Sequence, residues 1–463
     1  MNINPNTQQA YQLFHNGTLA LARAEQQGIR LDVEYVQKTK QELTRKILHL
    51  EKQFRESDFY THWDKTTKGS PNINSNSQLG IYLYKVKKHK PIKLTTTEQG
   101  STDEETLLRL NIPELNDLLE IRKLKKIRDN YLEGFLREQV NGYVHPFFPL
   151  HLVKTFRGSS NNPNFTNIPN RDEEARLMTR KALFPRPGHQ LLEVDYKSLE
   201  VSIAAAVTQD KNLRKYLKDS TSDMHGDMAK EIFMIEDFDK KNPDHKTLRS
   251  AAKNGFVFPE FYGDYYKNCA ESLACGWGKL PEERWRRGQG IPLDGAFLSD
   301  HLINLGFKSL PLFTNHLQRI EENFWKNRFP EYRVWQNKAW DNYQKKGYID
   351  SLTGFRYQGI MSKNNIYNYP VQGPAFHCLL WSFIELDGIM LRQKWDTRLI
   401  GQIHDAIVMD VNPKELKMVI ENIKQVTCER LPKAWDWINV PLEVEIDVFD
   451  VDQSWASKKL PTY

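Results

Sequence analysis

Cysteine is scarce. The 463 residues hold four, Cys269, Cys275, Cys378 and Cys428, and no two of them form a C-x-x-C pair. This excludes a disulfide framework and a zinc-ligand pattern, and it predicts free thiols in a reducing, cytoplasmic compartment. No run approaches the roughly 18 to 20 apolar residues of a membrane span, and the opening MNINPNTQQ lacks the apolar core of a signal peptide. No membrane is therefore expected as a partner. Internal repeats and long low-complexity tracts are missing too. A strong excess of one charge is also lacking: 65 Lys and Arg exceed 59 Asp and Glu by 6, too little to demand a polyanionic partner unless the cations cluster. What is present is a 39% apolar, 27% charged chain, long enough for two or three lobes around a real core.

Along the chain, residues 1–35 form a mixed segment in which Gly28 breaks the pattern before a new helix. Helical spacing from Val36 to about Phe54 predicts a long amphipathic helix. Residues 64–104 are polar and carry Lys85, Lys87, Lys88, His89, Lys90 and Lys93. Leu118, Leu119, Ile121, Leu124 and Ile127 mark a second helix, whose polar face bears Arg122, Lys123, Lys125, Lys126 and Arg128. Two long helices with a basic loop between them suit an arm that grips something anionic; a solvated helical hairpin has the same pattern. Tyr143 to Thr155 alternates as strands do, Leu191 to Tyr196 is a short apolar strand, and a helix follows from about Lys197. Residues 211–345 read as largely helical, and Arg398 to Val411 as strand, tight turn, strand.

Three local patterns could carry chemistry. Asp195 closes an apolar strand where a helix begins, a place suited to a helix N-cap or to a carboxylate that meets a cation. Arg249 and Lys253 lie four apart on one helical face, ahead of Phe256, Phe258, Phe261, Tyr262 and Gly263. Such a pair can hold a polyphosphate, and an aromatic ring further along can stack on a base. A basic outer face over an aromatic core face reads the same way. His404 and Asp405 sit at a hairpin turn, where they form a structural pair, a metal ligand or half of an acid–base system. Alone, none of these is specific.

Together, in this order, they resemble motifs A, B and C of the family A DNA polymerases, the class of bacterial DNA polymerase I, and most of all its phage-type members. Four further segments are similar. Thr155-Phe-Arg157-Gly-Ser-Ser-Asn-Asn-Pro163-Asn164-Phe-Thr-Asn167-Ile-Pro169 resembles TGRLSSxxPNLQNIP, and Asp223-Met-His225 resembles D-x-H. Gly347-Tyr348 to Gly354-Phe-Arg356 resembles GYVxTxxGRR, and Asn368-Tyr-Pro370-Val-Gln372-Gly373 resembles NxPxQG.

The resemblance implies an α+β right-hand polymerase: a palm built on an antiparallel sheet, helical fingers and a helical thumb. The palm is expected over 1–35, 141–210 and 346–463, the thumb over 36–140 and the fingers over 211–345. The implied reaction joins a primer 3′-hydroxyl to the α-phosphate of a deoxynucleoside triphosphate and releases pyrophosphate. Two Mg²⁺ ions, for which Mn²⁺ can substitute, would be held by Asp195, Asp405 and the Tyr196 carbonyl. Arg249 and Lys253 would hold the outer phosphates, with His225 and Arg176 nearby, and Lys253 would neutralise the leaving pyrophosphate. Ser198, Phe258 and Tyr262 complete the implied nucleotide site, and Glu200 would crowd the ribose 2′-position and select deoxynucleotides. Arg157, Asn164, Asn368, Gln372 and His404 would face primer–template DNA, some of them in the minor groove, where contacts test pair shape.

Four departures from the pattern stand out. Ala406 replaces the glutamate of motif C; Glu193, two residues before Asp195, shares its strand face and could supply the charge or could pair with a lysine. Lys253 and Tyr262 are nine apart, where the family spaces them eight apart, and Pro259 lies between them. A kink or π-bulge is expected there, with Phe258 rather than Val257 beside the sugar. Residues 264–315 are longer than the family's usual segment and hold Lys279, Arg284, Trp285, Arg286 and Arg287. They fit contact with single-stranded template or a partner, and equally a solvated insertion with its own small core. Finally, no room is expected for a proofreading exonuclease of about 150–200 residues, which leaves a separate exonuclease or processivity subunit as a further partner. Three other readings compete: a single-subunit RNA polymerase, opposed by Glu200; a nuclease using Asp195, Glu193 and Asp405, which gives Arg249 and Lys253 no task; and an inactive primer–template clamp.

Overall fold

The computed structural model describes residues 7–67, 69, 71–91, 94–95, 97–169, 172–219, 221–275, 291–403 and 406–457. Two antiparallel sheets organise it. The smaller has strand order β2-β3-β1-β4, from β1 (Ile29–Leu31), β2 (Gln139–Val140), β3 (Tyr143–Val144) and β4 (Leu183–Phe184). The larger has order β10-β11-β5-β12, from β5 (Gln190–Tyr196), β10 (Arg398–Ile403), β11 (Ala406–Val411) and β12 (Val444–Val448). Two hairpins stand apart, β6 (Pro292–Leu293) with β7 (Ala296–Phe297) and β8 (Tyr348–Asp350) with β9 (Arg356–Gln358).

β11 is apolar apart from Asp410, whereas β5 sets Leu191, Leu192, Val194 and Tyr196 among Gln190, Glu193 and Asp195; helices pack against their sheet. The chief of these is Lys363–Gln393, a 31-residue helix that tolerates Pro370 and Pro374 in its interior. It is long and apolar enough to cross a bilayer, yet 72% of its most apolar stretch is buried inside the protein. It is a core helix, and its Leu379, Leu380, Phe383 and Leu386 are closed from solvent. The segment before β1 departs from expectation: it is a helix, Thr7–Gln27, that packs on this core helix and on β10. Gly28 ends it at φ +61, where a side chain would strike His145.

The helix anticipated from Val36 runs over Val33–Glu56, capped by the Asp32 carboxylate on the Tyr35 N–H. It packs on Pro113–Lys125, which continues through a π-helical stretch, Lys126–Leu132. The polar stretch between them is not one loop but holds Asp58–Thr67, Asn76–Gly80 and Ile81–Val86 as helices around buried Trp63 and Tyr82. Tyr143 to Thr155 gives only β3, since Pro146 and Pro149 cannot donate to a ladder.

Candidate active site

The site is built on β5. Leu191, Leu192 and Val194 are buried, while Asp195 is exposed near the strand's end. Tyr196 turns the other way. Its hydroxyl lies 2.7 Å from Ser382 Oγ, and burial pushes its phenol well above the ordinary range, so only its backbone is left for the site. Asp195 is not a helix cap: Leu199–Thr208 starts after Ser198, which is exposed, left-handed at φ 51 and without a side-chain capping bond.

Register sets the neighbours of Asp195. Ala406 of β11 pairs with it on one side and Glu445 of β12 on the other, and directly opposed residues share a sheet face. The carboxylate missing at Ala406 is thus matched by one at Glu445, which sequence reading overlooked because it lies 250 residues after Asp195 in the chain. Like charges opposed in this way cost about 0.2–1 kcal/mol unless something neutralises them. His404 and Asp405, which join Ile403 to Ala406, lie outside the described residues. Glu193 is already engaged: Arg180 Nη1 and Trp455 Nε1 each lie 3.1 Å from its Oε2. Its partner is this buried arginine, stacked 4.3 Å over the Trp455 ring, and not a lysine.

The second wall is a helix in three parts. Pro243–Ala252 opens on the Asn242 cap, Lys253–Val257 is a π turn, and Phe258–Phe261 follows. The π turn is where the spacing demanded it. Pro259 has no N–H and would crowd the carbonyl of Gly255, and the wider turn absorbs the extra residue. Val257 is wholly buried, whereas Phe258 stays partly open and stacks on Tyr262 at 6.1 Å.

These residues meet on one surface. Lys253 Nζ lies 5.2 Å from the centre of the Phe258 ring, and the His225 ring meets that ring edge-on at 5.7 Å. Arg249 Nε donates to both oxygens of Asp223 at 3.0 and 2.9 Å. Burial opposes the charge on Asp223, but the hydrogen bonds from Arg249 and the Gly226 N–H prevail and hold its pKa below the usual value. Burial first, then the charges of Arg249 and Lys253, depress His225 to about 4, and its buried Nδ1 has no partner among the described residues. Beyond Phe258, the Tyr262 hydroxyl donates to the Glu200 carboxylate, and Arg157 Nη1 lies 3.8 Å from the same group. Burial, then Glu200, pushes the Tyr262 phenol far up. Gly263 follows at φ +87, where a Cβ would stand 2.6 Å from the Tyr367 ring.

Other anticipated residues are more dispersed. Gly158, next to Arg157, abuts Phe376 and Gln402. Gln372 and Asn368 are half-buried on the core helix, and the Asn368 Oδ1 has no partner among the described residues. Asn164 shapes its own turn by accepting from the Asn167 N–H at 3.1 Å. Arg176 sits on Glu173–Arg180, with Glu173 4.0 Å away, and no described contact ties it to Arg249 or Lys253.

The basic helix face is partly neutralised within the fold. Lys123 meets Glu120 at 2.8 Å and Glu174 at 2.6 Å, Lys125 meets Glu51 at 2.5 Å, and Arg128 meets Asp129 at 2.6 Å. Beside them opens a cleft of about 1250 Å³, lined by Asn74, Asn76, Arg122, Lys126, Tyr131 and Asn167 among others. It escaped sequence reading because its walls come from segments far apart in the chain.

Of the long segment after residue 264, Lys279 and Arg284 to Arg287 lie outside the described residues. The described remainder does not form a core of its own. Leu293, Leu298 and Leu302 join the main core, and Asp294 binds the start of the Pro243–Ala252 helix through Asn242 at 3.0 Å and Asp244 at 3.0 Å.

The family model for DNA polymerase family A matches residues 33–279 and 312–457. DNA polymerase I of Lactococcus lactis subsp. cremoris (strain MG1363) is 26% identical over 389 residues, covering 81% of this chain and 38% of the relative. The thermostable DNA polymerase I of Thermus aquaticus is 25% identical over 457 residues, 95% of this chain and 47% of its own. The chain thus spans less than half the length of these relatives. Among solved structures, the POL domain of Pol1 from M. smegmatis, in complex with DNA primer-template and dNTP, superposes with a TM-score of 0.74 at 22% identity. That match covers 96% of this chain and 70% of the other, so the two share a fold.

Proposed function

The chain belongs to DNA polymerase family A, and from that premise we propose that it is a template-directed DNA polymerase that adds deoxynucleotides to a primer 3′-end. One observation carries the reading. The Tyr262 hydroxyl on Glu200 joins the helix bearing Arg249 and Lys253 to the helix that follows the Asp195 strand. A triphosphate lying along Arg249, Lys253 and His225 would present its α-phosphate toward Asp195, with Phe258 and Tyr262 at its sugar and base. A nuclease has no use for that surface.

In the reaction, the primer 3′-oxygen forms a bond to the α-phosphorus and gives up its proton, while the α–β bridging oxygen leaves with pyrophosphate. Arg249 holds the outer phosphates by its fork and Lys253 as a point charge placed to neutralise the leaving group. His225, neutral in the fold, would have to turn its buried, unpartnered Nδ1 outward to meet a phosphate oxygen. Arg176, Ser198 and the Tyr196 carbonyl complete the proposed nucleotide site. Two Mg²⁺ ions would supply Lewis-acid activation of the attacking and leaving oxygens. An exposed Asp195 with the Glu445 carboxylate opposed to it fits a hard cation with oxygen ligands, and Asp405 is the second expected ligand. Glu200, fixed by Tyr262, fills the place of a ribose 2′-hydroxyl. Arg157, Asn164, Asn368, Gln372 and His404 form the primer–template face, and the cleft beside Arg122 receives the duplex backbone.

We assign the palm to 1–35, 141–210 and 346–463, the thumb to 36–140 and the fingers to 211–345. The two-metal mechanism, replication of a phage or phage-like element in a host cytoplasm, the lack of proofreading and a separate processivity or exonuclease subunit belong to the same proposal. The deciding experiment is extension of a labelled primer on a DNA template with Mg²⁺, supplying deoxy- or ribonucleotides separately. Extension with deoxynucleotides only, lost in Asp405→Ala, is expected, and a mispaired primer end is expected to remain uncut. Equal use of ribonucleotides would move the assignment to an RNA polymerase, and binding without extension to a clamp.

A further inference from the structure

The turn that carries Phe258 and Tyr262 has a second face, turned into the protein. On it lies Glu260, with no exposure at all. A charge in such a place is strongly disfavoured unless a cation meets it. Here Trp325 Nε1 donates to Glu260 Oε2 at 2.9 Å, the Cys269 thiol approaches Oε1 at 3.6 Å, and Glu321 stands near enough to act on the same carboxyl.

The titratable and charged groups around this pair come from every element packed on it. Cys269 belongs to Tyr266–Cys275 and Asp264 precedes that helix; Glu321 and Glu322 lie on Leu310–Asn323; Tyr332 and Arg333 lie on Pro330–Lys346. Arg333 is the one cation in this set; it sits 5.6 Å over the Trp325 ring and acts on Glu321. Two acids therefore share the pocket. Burial above all, then Glu321, pushes Glu260 up to about 8, and burial raises Glu321 as well. With its proton, Glu260 can donate to Glu321 while accepting from Trp325.

We propose that Glu260 is a positioning residue for the nucleotide site: its protonated carboxyl ties the Phe258–Tyr262 turn to Trp325 and Glu321, and loss of the proton releases that turn. The inference rests on the proposed function for what Phe258 and Tyr262 hold. The lever is short. Glu260 lies between the two rings in sequence, the Gly263 N–H donates to its carbonyl at 3.1 Å, and Phe261 stacks on Tyr332 at 5.1 Å. Loosening the carboxyl end therefore turns the pair of rings that frames the nucleotide. The sign follows from the raised pKa: the tether is intact at neutral pH and is lost as pH rises through the folded value.

Glu260→Gln keeps the shape, accepts from Trp325 and donates to Glu321, but has no proton to lose. The test measures KM and kcat for a deoxynucleotide from pH 7 to 9.5 in the full chain. KM of the unaltered protein is expected to rise on the order of tenfold against Glu260→Gln, the loss of about one buried hydrogen bond, with kcat changing less. Trp325→Phe removes a donor that favours the charged form, so the rise should move to higher pH. Parallel profiles for the unaltered protein and Glu260→Gln overturn the proposal; if that variant does not fold, an unmoved midpoint in Trp325→Phe does so. Tryptophan emission, titrated without nucleotide, should show a transition absent from Glu260→Gln. That readout decides the tether even in a chain that extends no primer, an outcome that would sink the polymerase reading instead.

Discussion

Glu200→Ala tests the selectivity argument most directly. In the fold the Glu200 carboxylate accepts from the buried Tyr262 hydroxyl and has Arg157 3.8 Å away. A ribose 2′-hydroxyl placed against this group has to displace part of that arrangement. A hydrogen bond to a charged acceptor contributes about 1.5–3 kcal/mol, which corresponds to roughly 10- to 150-fold in selectivity. Removing the carboxylate should therefore cut the preference for deoxynucleotides by that factor, chiefly through better use of ribonucleotides. Deoxynucleotide incorporation should also weaken somewhat, since Tyr262 loses its acceptor and Arg157 its counter-charge. The assay is kcat/KM for one deoxynucleotide and its ribonucleotide on the same primer–template. Tyr262→Phe, which keeps the carboxylate but frees it, should show a smaller change of the same sign. Unchanged selectivity in an active Glu200→Ala would refute the reasoning.

Three further outcomes follow from the same geometry. Gly263→Ala places a Cβ 2.6 Å from the buried Tyr367 ring at φ +87, so a loss of about 2–4 kcal/mol is expected in urea unfolding, from left-handed backbone and overpacking together. A change under about 0.5 kcal/mol would mean the turn relaxes freely. The π turn predicts a division of labour: Phe258→Ala should raise KM for nucleotide with little loss of stability, while Val257→Ala should lower the unfolding midpoint and leave KM alone. The reverse pattern would put the wrong residue on the nucleotide face. His225 is held near 4, below its ordinary 6.5, because the fold keeps it neutral while the unfolded chain takes up a proton. Its contribution is complete above about pH 6.5 and fades as pH falls toward 4, by at most roughly 3 kcal/mol; urea midpoints across that range should fall less steeply in His225→Gln.

How much of the site was legible depended on the distance over which each contact acts. Arg249, Lys253 and Tyr262 were readable because they share one helix, where spacing alone fixes a common face. The π turn was readable because a proline and one surplus residue leave the helix few ways to keep that face. Glu193 was legible as a strand residue on the face of Asp195 that an ion pair could claim, but not its partner: engagement by Arg180 and Trp455, rather than a lysine, depends on chain that arrives 13 residues before it and 262 after it. The cations around Lys123 were legible as a face and not as ion pairs, since Glu174 and Glu51 reach them from other helices.

The order and spacing of the motifs carried the resemblance to the family, and local periodicity with the placing of proline and glycine marked several of the helices and strands and the residues that share one of them. These are short-range properties, set by sterics and hydrogen bonding within a few residues. Strand register, which lines up Asp195, Ala406 and Glu445, the meeting of Tyr262 with Glu200, and the burial of Glu260 against Trp325 and Glu321 were decided only by the tertiary structure. Each depends on which distant surfaces exclude water together, and packing of the whole core selects that arrangement.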